Sequence, residues 1–268
     1  MSDGDSRGDD TRDDDTRGGD TRNGDTRSGD TAAIIPAVNE ADRIAATIKA
    51  AAALPGVDLV VVVDDGSTDR TGKVARAAGA RVVRHSRNRG KAAAMETGAE
   101  AVRLLDEDAA PRHLLFLDAD LGETAHAAAP LVEPVRAGTA DMTIAQFSTR
   151  VKLGGHGLVV RLSKEGIRRA TGYELAQPLN GQRCLTRAAF EAARPLAHGF
   201  GVETALTIDL LRKGYRIAEV QVDMAHRATG TDWRAQLHRA VQLRDVALAL
   251  ATRDPLVVKN LGKRRPTR

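Results

Sequence analysis

The sequence has little of three things: it carries one cysteine, Cys184, seven aromatic residues in 268, and no apolar run of the roughly 18 residues that a membrane span needs. A lone thiol excludes an internal disulfide framework and fits a reducing compartment. Seven rings leave little to stack on bases, and no nucleic-acid-binding motif is present, so nucleic acid is not an expected partner. With no signal-peptide pattern either, the chain reads as soluble and cytoplasmic. A Gly-rich phosphate turn is also missing after the first apolar run, where "PAVNE" stands instead, and this argues against a dinucleotide-dependent oxidoreductase.

What is present divides unevenly. Residues 1–31 hold ten Asp and five Arg, with the unit Asp-Thr-Arg at 10–12, 15–17, 20–22 and 25–27. That stretch has no apolar face to bury and is expected to be a disordered tail. Beyond it, 35 Lys and Arg stand against 26 Asp and Glu, a net charge of +9 where the whole chain has +4. A basic body favours anionic partners such as nucleotide phosphates, phosphorylated acceptors or an anionic membrane surface. The expected organisation is this tail, one domain over 32–230, and a C-terminal amphipathic helix with a basic tail over 231–268.

Apolar runs alternate with helical patterns in the order of a parallel sheet covered by helices. Strands are expected at "TAAIIPAV", "VDLVVVVDD", "ARVVRHS", "HLLFLDAD" and "ADMTIAQF", with helices through "EADRIAATIKAAAAL", "DRTGKVARAAG" and "GKAAAMETGAEAVRLL". Ligands of such sheets sit beyond the carboxyl ends of the strands, where "PAVNE", "DDGSTD", "HSRNRGK" and "DADL" all fall. The second half is less regular. "VKLGGHGL" at 151–158 is a Gly-rich loop, and helices cover "VVRLSKEGIRRATG" and "GVETALTIDLLRKG". In "RIAEVQVDMAHR", Val220, Val222 and Met224 alternate with Glu219, Gln221 and Asp223, a half-exposed strand that leads to His226. A last helix follows, on which Trp233, Leu237, Val241 and Leu248 either pack on the domain or, with "KRRPTR", rest on anionic lipid.

Asp118 and Asp120, two residues apart at a strand end, point the same way. Such a pair suits a divalent cation whose shell is completed by substrate phosphates, and it equally suits the capping of a turn. Asp64 and Asp65 can accept hydrogen bonds from an amide or from ribose hydroxyls, or build the turn that Gly66 allows. Lys91 stands where a helix start attracts an anion, and a solvated lysine is the alternative.

The pieces "IPAVNE", "VVDDGSTDRT", "NRGKAAAMETG" and "FLDADL" follow one another as in the GT-A fold glycosyltransferases of family 2 type, which the chain resembles over residues 31–227. "QPLNGQRCLTR", "GFGVETALTIDLL" and "VDMAHR" resemble the glucosyl-3-phosphoglycerate synthases. The resemblance implies an α/β GT-A fold, a Rossmann-like and mostly parallel sheet flanked by helices, with an acceptor-side second half. It implies metal-dependent transfer of a hexose from a nucleotide diphosphate sugar, UDP-glucose first, to a small phosphorylated acceptor such as 3-phosphoglycerate. A polyprenyl phosphate is the alternative acceptor.

Residue by residue, the resemblance implies that Pro36, Asn39 and Glu40 surround the base and ribose, and that Asp65 contacts the uracil or its ribose with Asp64 beside it. Lys91 would lie near the nucleotide, Asp118 would face the ribose or a metal-bound water, and Asp120 with His226 would ligate Mg²⁺ or Mn²⁺. Asp120 and Glu203 are the expected catalytic groups, Glu203 binding sugar hydroxyls or acting as base. Donor sugar, acceptor, stereochemical outcome, contact with a membrane surface and a homodimer stay open. From other classes, a receiver-like module would need its acidic pair on the first strand and its acceptor Asp on the third, where this chain has them on the second and fourth. A non-catalytic nucleotide-sugar-binding module is the remaining alternative.

Overall fold

The computed structural model describes residues 30–107, 109–147, 157–224 and 233–253, the last stretch without the side chains of 233–239. The expectations placed on the repeat tail, on most of the Gly-rich loop, on His226 and on the basic tail lie outside the described residues.

In chain order the elements are β1 (Thr31–Ala37), α1 (Ile44–Ala52), β2 (Val57–Asp64), α2 (Thr71–Ala77), β3 (Arg81–Arg84), α3 (Lys91–Asp106) and β4 (His113–Phe116). A 3-10 turn at Gly122–Ala128 leads into α4 (Ala129–Arg136), followed by β5 (Met142–Phe147), α5 (Gly157–Thr171), β6 (Arg183–Leu185) and α6 (Arg187–Ala192). A second 3-10 turn at Gly199–Gly201 opens α7 (Val202–Arg212), and β7 (Ile217–Val222) and α8 (Trp233–Ala251) complete the described chain.

The seven strands form one sheet in the order β3-β2-β1-β4-β6-β5-β7, in which β6 alone runs antiparallel to its neighbours. Period-two alternation sends Ala32, Ile34, Val61, Val63, Leu114 and Phe116 into one core with α3, α5, α7 and α8. It sends Ala33, Ile35, Val60, Val62, Leu115 and Leu117 into a second core with α1 and α4. Helices cover both faces, which is why the strands read as unbroken apolar runs. Burying each Ile, Leu or Val stabilises the sheet by about 1.5–3 kcal/mol.

The five expected strands and the helices between them are present. The strand that sequence reading missed is β6, three residues long and too short to carry a period. It wedges between β4 and β5 and leaves β5 to pair with β7. Strand β7 is half exposed, as its alternation indicates: Val222 and Met224 are buried, while Glu219 accepts the backbone N–H groups of Ala176 and Gln177.

Helix α8 packs on α5, α7 and the Gly199–Gly201 turn through Asp245, Val246, Ala249 and Leu250. Its inner face is therefore rotated from the expected one: Leu248 is 57% exposed and Val241 half-buried, and the Trp233 and Leu237 side chains are outside those described. Among the described residues, no helix is long and apolar enough to cross a membrane.

Candidate active site

Strands β1, β2 and β4 run parallel and end at one edge of the sheet, so their loops meet there. Pro36, half-buried near the end of β1, pairs with Val63. Asn39 takes a left-handed backbone at φ 55°, a conformation Asn tolerates better than most residues. Its side-chain oxygen accepts the Thr68 N–H at 2.9 Å, and its own N–H donates to the Ser67 hydroxyl at 3.0 Å. The Glu40 N–H donates to the Thr71 hydroxyl at 2.8 Å. These bonds stitch the end of β1 to the turn after β2.

Within that turn the two carboxylates differ. Asp64 is buried and faces inward, accepting the Ser67 N–H at 2.9 Å with Arg84 at 3.5 Å. Its Oδ2 lies so near Gly72 that a Cβ there would come within 2.6 Å. Asp65 accepts His85 Nδ1 at 2.7 Å and the Arg89 and Gly90 N–H groups at 2.8 Å each. Those three bonds fill three of the about four acceptor positions of a carboxylate. The anion held by the backbone at the start of α3 is thus the protein's own Asp65. Gly66, at φ +75°, lies against the backbone of Arg87 and Asn88, where a Cβ would come within 2.5 Å. Only glycine suits both demands.

Lys91 is the crossing point of the site. Its ammonium lies 2.9 Å from Asp118 Oδ1 and 3.0 Å from Glu203 Oε1, joining α3, the end of β4 and the first turn of α7. Burial works to lower the Lys91 pKa, but the charges of Asp118 and Glu203 and their hydrogen bonds outweigh it and raise the pKa above its ordinary value. Gly181 completes the contact, because a Cβ there would come within 2.3 Å of the Lys91 nitrogen. Asp118 accepts the Gln182 amide on its other oxygen at 2.9 Å. Both of these bonds run to distant segments of the chain. Glu203, buried in the first turn of α7, likewise pairs across to Lys91.

Beneath the acidic pair lies Arg183, buried among carbonyl groups. It donates to Asn180 O at 2.8 Å, Pro178 O at 2.7 Å, Glu203 O at 3.2 Å and the Thr207 hydroxyl at 2.9 Å. Burial pushes its pKa down to about 10, against the pull of Glu203 and Glu219. It ties the 178–182 segment to the helix carrying Glu203.

Asp120 stands half-buried just past β4. Among the described residues, no group of three or more His, Cys, Asp or Glu is arranged to hold a metal ion. A site of one or two carboxylates, with water and phosphate oxygens in the other positions, is how Mg²⁺ is commonly held on phosphorylated substrates. With both Asp118 oxygens engaged by Lys91 and Gln182, the donor set at this strand end fits such a cation with Asp120 as its first carboxylate.

Sequence reading brought Asn39, Glu40, Asp65, Lys91, Asp118, Asp120 and Glu203 to this edge, and missed His85, Gly181, Gln182 and Arg183. His85 directly follows β3, the same signal that singled out the acids. The other three fall in "NGQR", where no periodicity marks them.

A seven-stranded, mostly parallel sheet with acids and a lysine converging at its carboxyl edge defines a GT-A fold protein. The chain belongs to glycosyl transferase family 2, whose profile matches residues 32–182. It is 30% identical over 203 residues to glycosyltransferase AglJ of Haloferax volcanii, covering 74% of this chain and 64% of that protein. It is 32% identical over 212 residues to the glucosyl-3-phosphoglycerate synthase of Mycolicibacterium paratuberculosis, covering 72% and 64%. The chain thus spans just under two thirds of the length of both. It superposes on the Mycobacterium tuberculosis glucosyl-3-phosphoglycerate synthase in complex with Mn²⁺, UDP and phosphoglyceric acid with a TM-score of 0.68 and 27% identity, covering 84% of this chain and 78% of that one. The complex of that enzyme with Mg²⁺ and UDP gives 0.66 at 28% identity, covering 84% and 79%.

Proposed function

We propose that the protein is a metal-dependent glycosyltransferase that moves a hexose from a UDP-sugar, UDP-glucose first, to a small phosphorylated acceptor such as 3-phosphoglycerate. The observation that carries the reading is the Lys91 ammonium held between Asp118 and Glu203 where three distant segments meet, in a chain of this family. The structural likeness to a synthase complexed with UDP, a divalent metal and phosphoglyceric acid supports the substrate class.

On this reading the base and ribose lie against Pro36, Asn39 and Glu40, and Asp65 offers its remaining acceptor position to the uracil. Asp64 supports the turn from behind. Asp120, with His226 later in the chain, would hold Mg²⁺ or Mn²⁺, which would supply a Lewis acid for the departing diphosphate. Cleaving the bond between the anomeric carbon and the phosphate oxygen leaves negative charge on the diphosphate. Lys91 provides a fixed positive charge near where that charge develops. Asp118 orients Lys91 and faces the ribose side. Glu203, the second carboxylate paired with Lys91, hydrogen-bonds the sugar hydroxyls or takes the acceptor proton.

The test is UDP release from UDP-glucose, with other UDP- and GDP-sugars alongside, measured with and without Mn²⁺ and with 3-phosphoglycerate or a polyprenyl phosphate as acceptor. Release that requires both Mn²⁺ and 3-phosphoglycerate is expected. Neither binding nor release with any donor would remove the reading, and release with the lipid phosphate alone would replace the acceptor.

A further inference from the structure

The loop that presents Asp120 is clamped from outside the site by helix α1. Thr47 is fully buried, and its hydroxyl donates to Ala119 O at 2.9 Å while accepting the Gly122 N–H at 2.8 Å. One hydroxyl thus bridges both flanks of Asp120. A threonine inside a helix ordinarily turns its hydroxyl back to the carbonyl four residues earlier. Here that carbonyl, Arg43 O, is 3.4 Å away, and the shorter bond goes across to Ala119. One helical turn before Thr47, the Arg43 guanidinium donates to the carbonyl of Asp120 itself at 3.2 Å. The helix is anchored by Ile44, Ile48 and Ala51, all buried in the second core. It starts four residues after Glu40, so one rigid element joins the loop following β1 to the loop carrying Asp120.

We infer that α1 is the positioning element of the metal-binding loop, with the Thr47 hydroxyl as its main contact and Arg43 as the second. The inference rests on the proposed role of Asp120 as metal ligand. Each acts by fixing the backbone from which the carboxylate projects. Groups that orient metal ligands in this way typically change metal affinity by 10–100-fold when lost.

The experiment measures Mn²⁺ binding directly, by the loss of the free-ion paramagnetic resonance signal, on the full chain with UDP present. Thr47→Val keeps the side-chain shape and removes the hydroxyl, and it is expected to weaken Mn²⁺ binding at least about tenfold. Thr47→Ser is expected to return to within about threefold of the starting protein, a rescue that loss of packing would not give. Arg43→Met, at a more accessible position, reads the same loop if Thr47→Val does not fold, with an expected weakening of about threefold. Unchanged Mn²⁺ binding in folded Thr47→Val, or in Arg43→Met should the valine variant not fold, overturns the inference. Asp120→Asn serves as the control: if it binds Mn²⁺ as the unaltered protein does, the role of Asp120 fails, and the role of α1 falls with it.

Discussion

Two charged clusters stand at opposite ends of the same sheet and use the same residue types to opposite effect. At the amino end, Arg112 makes a two-pronged pair with Asp58 at 2.8 and 2.9 Å and a further short pair with Asp106, which also meets Arg187 at 3.4 Å. All four side chains are nearly sealed, with Arg112 at 8% exposure. At the carboxyl end, Lys91 shares one ammonium between Asp118 and Glu203, and the lysine and Asp118 stay 31% and 28% exposed. A guanidinium fork engages both oxygens of a carboxylate at once and fixes its orientation, whereas an ammonium is a compact point charge on a flexible stem. The first cluster is built to stay closed, and the second leaves room for a third party.

That contrast is broken or sharpened first by the largest effect. Asp120→Asn should lower metal-dependent UDP release by on the order of 10³-fold, at the upper end of what loss of one preorganised electrostatic group causes, with little change in melting temperature. Activity near the starting level would remove Asp120 from the chemistry. Next, Arg112→Leu should lose about 3–5 kcal/mol of stability, because nearly sealed Asp58 loses its two-pronged partner and Asp106 keeps only the longer contact to Arg187 among its ion pairs, while turnover per folded molecule holds. Denaturant unfolding read beside activity checks it. A variant that unfolds normally but loses turnover would mean the amino end is not purely structural.

The same two ends show what a sequence reveals. Strand-end acids were legible because period two and unbroken apolar runs locate each strand and so each carboxyl terminus. Asp65, Lys91 and Asp118 follow from that rule. Their division of labour does not, since Asp64 and Asp65 are adjacent in "DDGSTD" and only the tertiary fold turns one to Arg84 and the other to His85 and the start of α3. The Asp58–Arg112 pair joins residues 54 apart, neither in any motif. Strand β6 and Gly181 were invisible for a related reason: three strand residues make no pattern, and a glycine needed for a lysine 90 residues earlier looks like any loop glycine.

Smaller effects test the crossing point itself. Glu203→Gln keeps the side-chain shape and removes the charge facing Lys91, and should lower turnover by about 10²-fold, the lower range for a group that moves a proton. A loss confined to KM would assign Glu203 to sugar binding alone. Gly181→Ala should cost less, about tenfold in kcat/KM, because its methyl group must displace the flexible end of Lys91 rather than backbone. An unaffected enzyme would mean that Lys91 has a second, equally good position.

The smallest expected effect is a flat line. Because the folded Lys91 pKa is raised above its ordinary 10.5, the stabilisation from its two ion pairs is present in full below that pH and is lost only as pH rises beyond it. Lys91 therefore stays charged across the neutral range and serves as a fixed charge, never as the base. The pH profile of kcat/KM from about 6 to 9 should show no inflection belonging to Lys91. Lys91→Arg, charged at every accessible pH, should give a lower profile of the same shape. An inflection that disappears in Lys91→Arg would show the lysine titrating where it is expected to be fixed. The open end of the sheet would then hold its charge no more firmly than an isolated lysine in a desolvated pocket does.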